Sequence, residues 1–155
     1  MIAIAAVLLL APCAFAQSGE RIYRKYADAD NVSVVYISPS MFRIIGRLPD
    51  LDVGDGQIDF TPIVRSLTGL YVIDSENPSV NDDLRRSAVG NDGYELLMEA
   101  REDKDVVRIY AKGNEQVVNG FIVFADEGDE VRYICLEGRM PRDEFDRLLS
   151  EQMRD

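Results

Sequence analysis

The sequence predicts an α+β fold, a two-layer domain in which helices pack on one face of a mixed, mainly antiparallel sheet that ends in a four-strand meander. The main observation is a change of period near residue 93, after which apolar and polar residues alternate as they do in strands. The short polar connectors EDKD, GNEQ and DEGD separate these segments, and links of this length form hairpins rather than parallel crossovers. The four predicted strands are YELLMEAR, VVRIYAK, VVNGFIVFAD and EVRYICLEG.

The first half of the chain predicts helices and two further strands. Three of its helices begin with Ser, Thr or Asn followed by Pro, which are the favoured N-cap and first helical residues. Because helices connect the two strands, we expect these strands to join the edge of the meander in parallel. The predicted elements are a helix at 18–27, strands at 32–37 and 70–73, helices from Ser38, Thr61 and Asn77, and a final helix from Pro141.

The alternation within the meander also predicts which side chains meet water. In the second meander strand, three apolar residues alternate with Arg108, Tyr110 and Lys112. We expect the apolar residues to face the core and the others to face solvent, as in an antiparallel sheet that is covered on one side. If the domain binds a partner, the predicted contact surface is therefore the open sheet face that carries Glu95, Arg108, Tyr110 and Lys112.

The first 16 residues predict a signal peptide. Ile2 to Leu10 is an apolar run that is too short to span a bilayer, and Ala14-Phe15-Ala16 is the small-x-small pattern of a cleavage site. No Lys or Arg precedes the run, so either the signal is weak or the start codon is misassigned. The alternatives are a lipoprotein anchored through Cys13 and an ordinary N-terminal helix. Cleavage after Ala16 leaves one globular domain, 17–155, which we expect to be periplasmic or secreted.

The charge balance limits the choice of partners. The chain has 28 acidic and 17 basic side chains, for a formal net charge of −11. A chain this acidic repels phosphate backbones and anionic lipid, so we expect no nucleic-acid partner. No stretch after the leader is long and apolar enough to span a membrane. The remaining partners are an envelope protein or a small ligand, and the oligomeric state stays open.

The residue inventory argues against an enzyme. The chain has no histidine, which removes Ser-His-Asp and Cys-His catalysis, and it has neither a Ser-x-x-Lys motif nor a glycine-rich nucleotide fingerprint. We therefore predict no catalytic residue and no cofactor. Cys135, the single cysteine after the leader, lies in the strand-like VRYICLEG and is predicted to be a buried hydrophobic residue. A hydrolase that uses two carboxylates is the alternative, and it needs two acids that converge in a cleft.

The weak candidates for a metal site are Asp50, Asp52 and Asp55 in the loop PDLDVGDGQ. An EF-hand loop that starts at Asp50 would need an oxygen ligand at position 5, glycine at 6 and glutamate at 12. The chain has Gly54, Asp55 and Thr61 at those places, so the pattern fails three times. We interpret the segment as a solvated acidic loop and predict no metal. A calcium-dependent envelope module is a second alternative function.

Several segments together resemble an uncharacterised family of small exported proteins of Bacteroidota-type bacteria, the domain of unknown function numbered 4252. The resembling residues are AFAQ at the end of the leader, Tyr26 followed by VSVVYISPSMF, then YELLMEARED, VVRIYAK and VRYICLEG before the last helix. The insertion PDLDVGDGQIDF and the weak leader depart from the family. The resemblance implies an exported globular domain without an assigned activity and provides no catalytic residue. From the sequence we predict a non-catalytic binding or interaction module of the cell envelope.

Overall fold

In the computed structural model, which describes residues 18–45, 61–87 and 93–152, helices and strands follow one another in the predicted order. The second strand is longer than expected and begins three residues earlier, directly after the helix that precedes it. The elements are α1 Ser18–Tyr26, β1 Val32–Ile37, α2 Pro39–Ile45, α3 Thr61–Ser66, β2 Leu67–Ser75, α4 Pro78–Ser87, β3 Glu95–Glu102, β4 Asp105–Gly113, β5 Val117–Asp126, β6 Val131–Pro141 and α5 Arg142–Gln152.

The six strands form one open sheet in the order β1-β2-β6-β5-β4-β3. The α+β class and the four-strand meander, β3 to β6, are confirmed. All five strand pairings are antiparallel, so the expected parallel pair at the edge does not form. Two helices, both predicted from the sequence, lie between β1 and β2, and the expectation of a parallel pair did not take the second one into account. A single helix after β1 would carry the chain back to the end of the sheet where β1 begins, and the next strand would then run parallel to β1. A second helix carries the chain back to the end where β1 finishes, so β2 runs antiparallel.

The predicted helix caps are confirmed at Ser38 and Asn77. The Ser38 hydroxyl accepts a hydrogen bond from the Met41 backbone N–H at 3.3 Å. The Asn77 side-chain oxygen accepts from the backbone N–H groups of Ser79 and Val80, at 3.0 and 3.3 Å. Each cap satisfies helical N–H groups that have no partner within the helix. The strand-to-helix turn at Ser38 therefore has a local structural explanation.

Helices lie on both faces of the sheet, which corrects the expectation of one covered face. Ile122 of β5 belongs to a core cluster with Ile22 of α1 and Leu84 of α4. Its neighbour Phe121 points the other way and packs against Phe145 of α5, with 5.2 Å between ring centroids. We call the side with α1 and α4 the first face and the side with α2, α3 and α5 the second face. Both faces are rich in apolar residues, so both need cover.

A hydrogen bond and an ion pair, both to Asp83, hold α1 and α4 together over the first face. The Tyr26 hydroxyl donates to Asp83 Oδ2 at 2.9 Å, and the Lys25 ammonium lies 3.2 Å from the same oxygen. Arg86, Tyr26 and Lys25 together hold the pKa of Asp83 at about 2. Arg85 joins α4 to the end of β5 through both carboxylate oxygens of Asp126, at 2.7 and 2.9 Å. These contacts fix the two short helices relative to the sheet.

The edge strand β3 is exposed along its whole length. A register shift between Leu96 and Met98 leaves Leu97 without a partner in β4. Leu96 is therefore opposite Tyr110, on the first face, whereas Met98 is opposite Ile109, on the second face. The alternation that the sequence shows after residue 93 would put Leu96 and Met98 on one face, but a bulge breaks the two-residue period between them.

Candidate functional site

The group most capable of chemistry lies on the first face, beneath the start of α1. Cys135 and Glu137 are alternate residues of β6, so both side chains point to this face. The Cys135 sulfur lies 3.8 Å from Glu137 Oε1 and 3.8 Å from the Tyr94 hydroxyl. Cys135 is fully buried and Glu137 is only 3% exposed. We call these three residues the Cys135 cluster.

Glu137 connects β6 to the first turn of α1. Its Oε1 accepts a hydrogen bond from the Gly19 backbone N–H at 3.0 Å. This N–H belongs to the helix start, where N–H groups lack helical partners and the helix dipole favours a negative group. The other carboxylate oxygen, Oε2, is buried and has no hydrogen-bond partner in the described part of the chain. Burial raises the pKa of Glu137, although the bond from Gly19 opposes the shift.

The surroundings of Cys135 make its thiol unreactive. Burial, reinforced by the nearby Glu137 carboxylate, raises the pKa of the Cys135 thiol to about 12. A nucleophilic cysteine needs the opposite arrangement, with a cation beside it and access to solvent. At neutral pH the side chain is therefore a protonated thiol that packs against β2 and β5. The sequence prediction of a buried hydrophobic cysteine is confirmed.

We expect Cys135 in the native protein to resist alkylation by iodoacetamide at pH 8. The thiolate is scarce at this pH because the thiol pKa is near 12, and the sulfur is fully buried. The same protein in denaturant should be alkylated completely, which serves as the control for reagent quality. Mass spectrometry of the two samples gives the modified fraction. Rapid labelling of the native chain would contradict this assignment.

A depression that carries acidic side chains lies among the described residues and bears on the alternative of a two-carboxylate hydrolase. An open depression of about 320 Å³ at one end of the sheet is lined by three acids, Asp74, Glu76 and Glu130. Arg132 pairs with Asp74 and lies 3.5 Å from Glu130, so one guanidinium contacts two of the three acids. A glycosidase-type pair requires one acid with a raised pKa facing a second acid across a substrate cleft. Asp74 and Glu130 therefore take part in ion pairs at the surface.

The weak calcium candidates Asp50, Asp52 and Asp55 lie outside the described residues. Within 18–45, 61–87 and 93–152, no group of three or more Cys, Asp or Glu side chains is arranged to hold a metal ion. No helix in those ranges is both long enough and apolar enough to cross a membrane.

A second feature, on the second face, is a row of apolar side chains that crosses the whole sheet. The strand pairings place these residues opposite one another, one on each strand. The four central side chains are half-buried, and those at the two ends are 48% and 40% exposed. We call this set the open row, and its residues, in order across the sheet, are Val35, Val72, Ile134, Val123, Ile109 and Met98.

The open row lies beside the part of the second face that the helices cover. The next row toward α5 includes Leu70, Leu136 and Phe121, which pack into the core cluster of Phe42 and Phe145. Residues of the open row belong to neither core cluster among the described residues. The helices on this side therefore protect one end of the sheet and leave its other end accessible.

The predicted contact surface of Glu95, Arg108, Tyr110 and Lys112 is not one surface. Tyr110 is buried in the core cluster of the first face, and Arg108 is occupied by Glu99 at 2.6 Å. Glu95 pairs with Ala111 and lies on the second face. Lys112 is exposed, with its ammonium 5.7 Å from the centre of the Tyr94 ring. Alternation correctly placed Arg108, Tyr110 and Lys112 on one face, but it was wrong in adding Glu95 to that face and in exposing Tyr110 to solvent.

The sequence reasoning missed both Glu137 and the open row. Glu137 lies in phase with Tyr133 and Cys135, so the alternation in VRYICLEG was a signal for its burial. The open row has no comparable signal because it exists only when six strands are aligned in register. Single strands show that Val123 and Ile134 are apolar, but they do not show that these two residues are adjacent.

The fold and the two features define a class: a small α+β domain with an open antiparallel sheet, an unreactive buried thiol and an accessible apolar row. The chain belongs to the family described as a domain of unknown function, DUF4252, whose profile matches residues 24–148. The resemblance found in the sequence is thereby confirmed. No curated protein and no solved structure matches the chain.

Proposed function

We propose that the protein is an exported, non-catalytic interaction domain of the cell envelope, with the open row as its contact surface. The observation that carries the proposal is the row itself. It crosses all six strands, which at roughly 4.8 Å per strand makes a strip about 24 Å wide. Contiguous accessible apolar surface of this kind marks contact sites, whereas isolated apolar residues do not.

The surroundings of the open row suit a protein partner. Beside the row, on the same face, lies the ion pair between Arg132 and Asp74. An apolar centre with a polar rim is the usual anatomy of a protein–protein interface. The Arg132–Asp74 pair is half-exposed and its two charges cancel. It can therefore help to orient a bound partner without requiring that the partner carry a particular net charge.

The chemistry of the first face supports a role without catalysis. Its one thiol is buried beside a carboxylate, and that carboxylate is engaged by the backbone of α1. The Cys135 sulfur thus packs in the core, and Glu137 Oε1 accepts a hydrogen bond at the start of α1, so both groups have a structural use. Export is supported by the apolar leader and its Ala14-Phe15-Ala16 cleavage pattern.

The test is capture of partners by tagged protein in the cells that make it, after fractionation. We expect mature protein without residues 1–16 in the envelope or medium, and a specific partner held through the second face. Val123→Lys places a charge in the middle of the open row and should abolish capture. Asn119→Lys, a matched control on the same strand, adds the same charge at an exposed position and should retain it.

Both variants are first compared with the wild type by thermal unfolding, so that a loss of fold is not mistaken for a loss of contact. Equal capture by Val123→Lys and wild type would contradict the open row as the surface. Uncut protein in the cytosol would contradict export.

A further inference from the structure

The two edges of the sheet differ in a way that points to a second interaction surface. β1 alone among the six described strands contains no charged residue, and residues 31–42 around it have no Asp, Glu, Lys or Arg. β1 also pairs with β2 without a register shift. A regular, neutral edge strand without proline is a template for adding another strand.

The opposite edge shows how such a template is blocked. β3 carries Glu95, Glu99, Arg101 and Glu102, and its bulge at Leu97 interrupts the regular spacing of backbone groups. Charges and bulges are the devices by which edge strands avoid pairing with other chains. Among the described residues, β3 thus carries these blocking devices, whereas β1 has neither a charge nor a bulge.

In the described part of the chain, large exposed apolar side chains lie at both edges of the sheet, three of them on β3 (Leu96, Leu97 and Met98) and four on β1 and the helix that follows it. Val35 and Tyr36 of β1 are 48% and 44% exposed, and Met41 and Ile44 of the following helix α2 are 47% and 58% exposed. Met41 and Ile44 are three residues apart, so they share one face of the helix. Tyr36 stacks on Tyr71 at 5.0 Å, which holds its ring at the edge of the first face. This surface, β1 with the exposed side of α2, is called the β1 edge.

We propose that the β1 edge pairs with the β1 edge of a second copy of this chain, so that two six-stranded sheets join antiparallel into one continuous sheet. Two copies that each carry a net charge of −11 repel each other over most of their surfaces. They can approach where neither carries charge, and β1 meets that condition. If β1 instead paired with a strand of a different protein, β1 would not need to be neutral, because opposite charges on the two strands could serve in recognition.

The alternation of side chains restricts how the two strands align. A two-fold axis perpendicular to the sheet keeps first face beside first face, so only residues that share a face can be opposite. The register centred on Val35 places the two Val35 side chains together on the second face. It also places each Tyr36 against Val34 of the other copy on the first face. Both exposed large apolar residues of β1, Val35 and Tyr36, become covered in this arrangement.

The proposed dimer uses one edge of the sheet and not the open row as a whole. Its test is therefore separate from the test of partner capture, and either proposal can fail while the other holds. The test is sedimentation velocity of the purified mature chain over a dilution series. We expect a reversible dimer. Val35→Lys should weaken it about tenfold or more, because apolar contact is lost twice and two like charges become opposite. Val35 is half-exposed, so the folded monomer should tolerate lysine.

Met98→Lys is the matched control. Met98 ends the open row at the β3 edge and is 40% exposed, so the same new charge should leave the dimer unchanged. A wild-type protein that stays monomeric at every concentration would overturn the proposal. So would a dimer that Met98→Lys weakens as much as Val35→Lys does.

A charge exchange tests the register directly. Val35→Glu alone should be monomeric, and an equimolar mixture of Val35→Lys and Val35→Glu should recover a dimer, because opposite charges now face each other across the two-fold axis. Failure of the mixture to associate, with each variant folded, would rule out the register centred on Val35.

Discussion

Phe124→Ala is expected to destabilise the domain by about 3–5 kcal/mol, as measured by urea unfolding. Phe124 is fully buried at the centre of the first face, in one core cluster with residues of α1, α4 and three neighbouring strands. The ring lies between rigid strands and two helices that are tied down by ion pairs. The structure can therefore relax only partly into the cavity, and the full cost of lost packing should be seen.

Phe121→Ala is the matched control for this prediction. Phe121 lies three residues earlier on the same strand but on the second face, where its ring is half-buried against Phe145. Part of that ring is already in water, so we expect a smaller loss, on the order of 1–3 kcal/mol. A larger loss for Phe121 than for Phe124 would contradict the assignment of the main core to the first face.

Glu137→Ala is expected to destabilise the domain by about 1–3 kcal/mol near neutral pH. The change leaves the Gly19 backbone N–H without its acceptor at the start of α1 and opens space beside Cys135. Glu137→Gln keeps an acceptor oxygen of nearly the same shape and removes the buried charge. We expect this variant to be at least as stable as the wild type at pH 8.

The stability difference between Glu137→Gln and the wild type should change with pH in a definite direction. Burial raises the folded-state pKa of Glu137 above its ordinary value of 4.5, so ionising the carboxyl costs more in the folded than in the unfolded protein. Its contribution to stability is complete below the unfolded pKa and is lost as the pH rises through the folded pKa. The free energy of unfolding of Glu137→Gln minus that of the wild type should therefore increase between pH 4 and pH 8. A difference that decreases over this range would contradict a raised pKa.

Local chemistry explains why much of the fold could be predicted. Ser38 and Asn77 cap helices through their own side chains, and the strand Val32–Ile37 is bounded by turn residues, so neighbouring residues contain the information. The short connectors of the meander permit only hairpins, and the observed antiparallel order follows. The predicted parallel direction of β2 was wrong, because the direction depends on how α2 and α3 together return the chain to the sheet.

The sequence by itself determined the order of the elements, the meander and the helix caps, because each depends on neighbouring residues. It also determined that the chain has no histidine and few other reactive side chains, because that is a matter of composition. Only the tertiary structure decided which face α1 and α4 cover, that Glu137 contacts the start of α1, and that six apolar residues align into one row. Alternation places residues such as Tyr110 and Ile109 on opposite faces but contains no information about which face a helix will reach. That choice depends on how the helices, their ion pairs and both apolar faces can be packed at the same time.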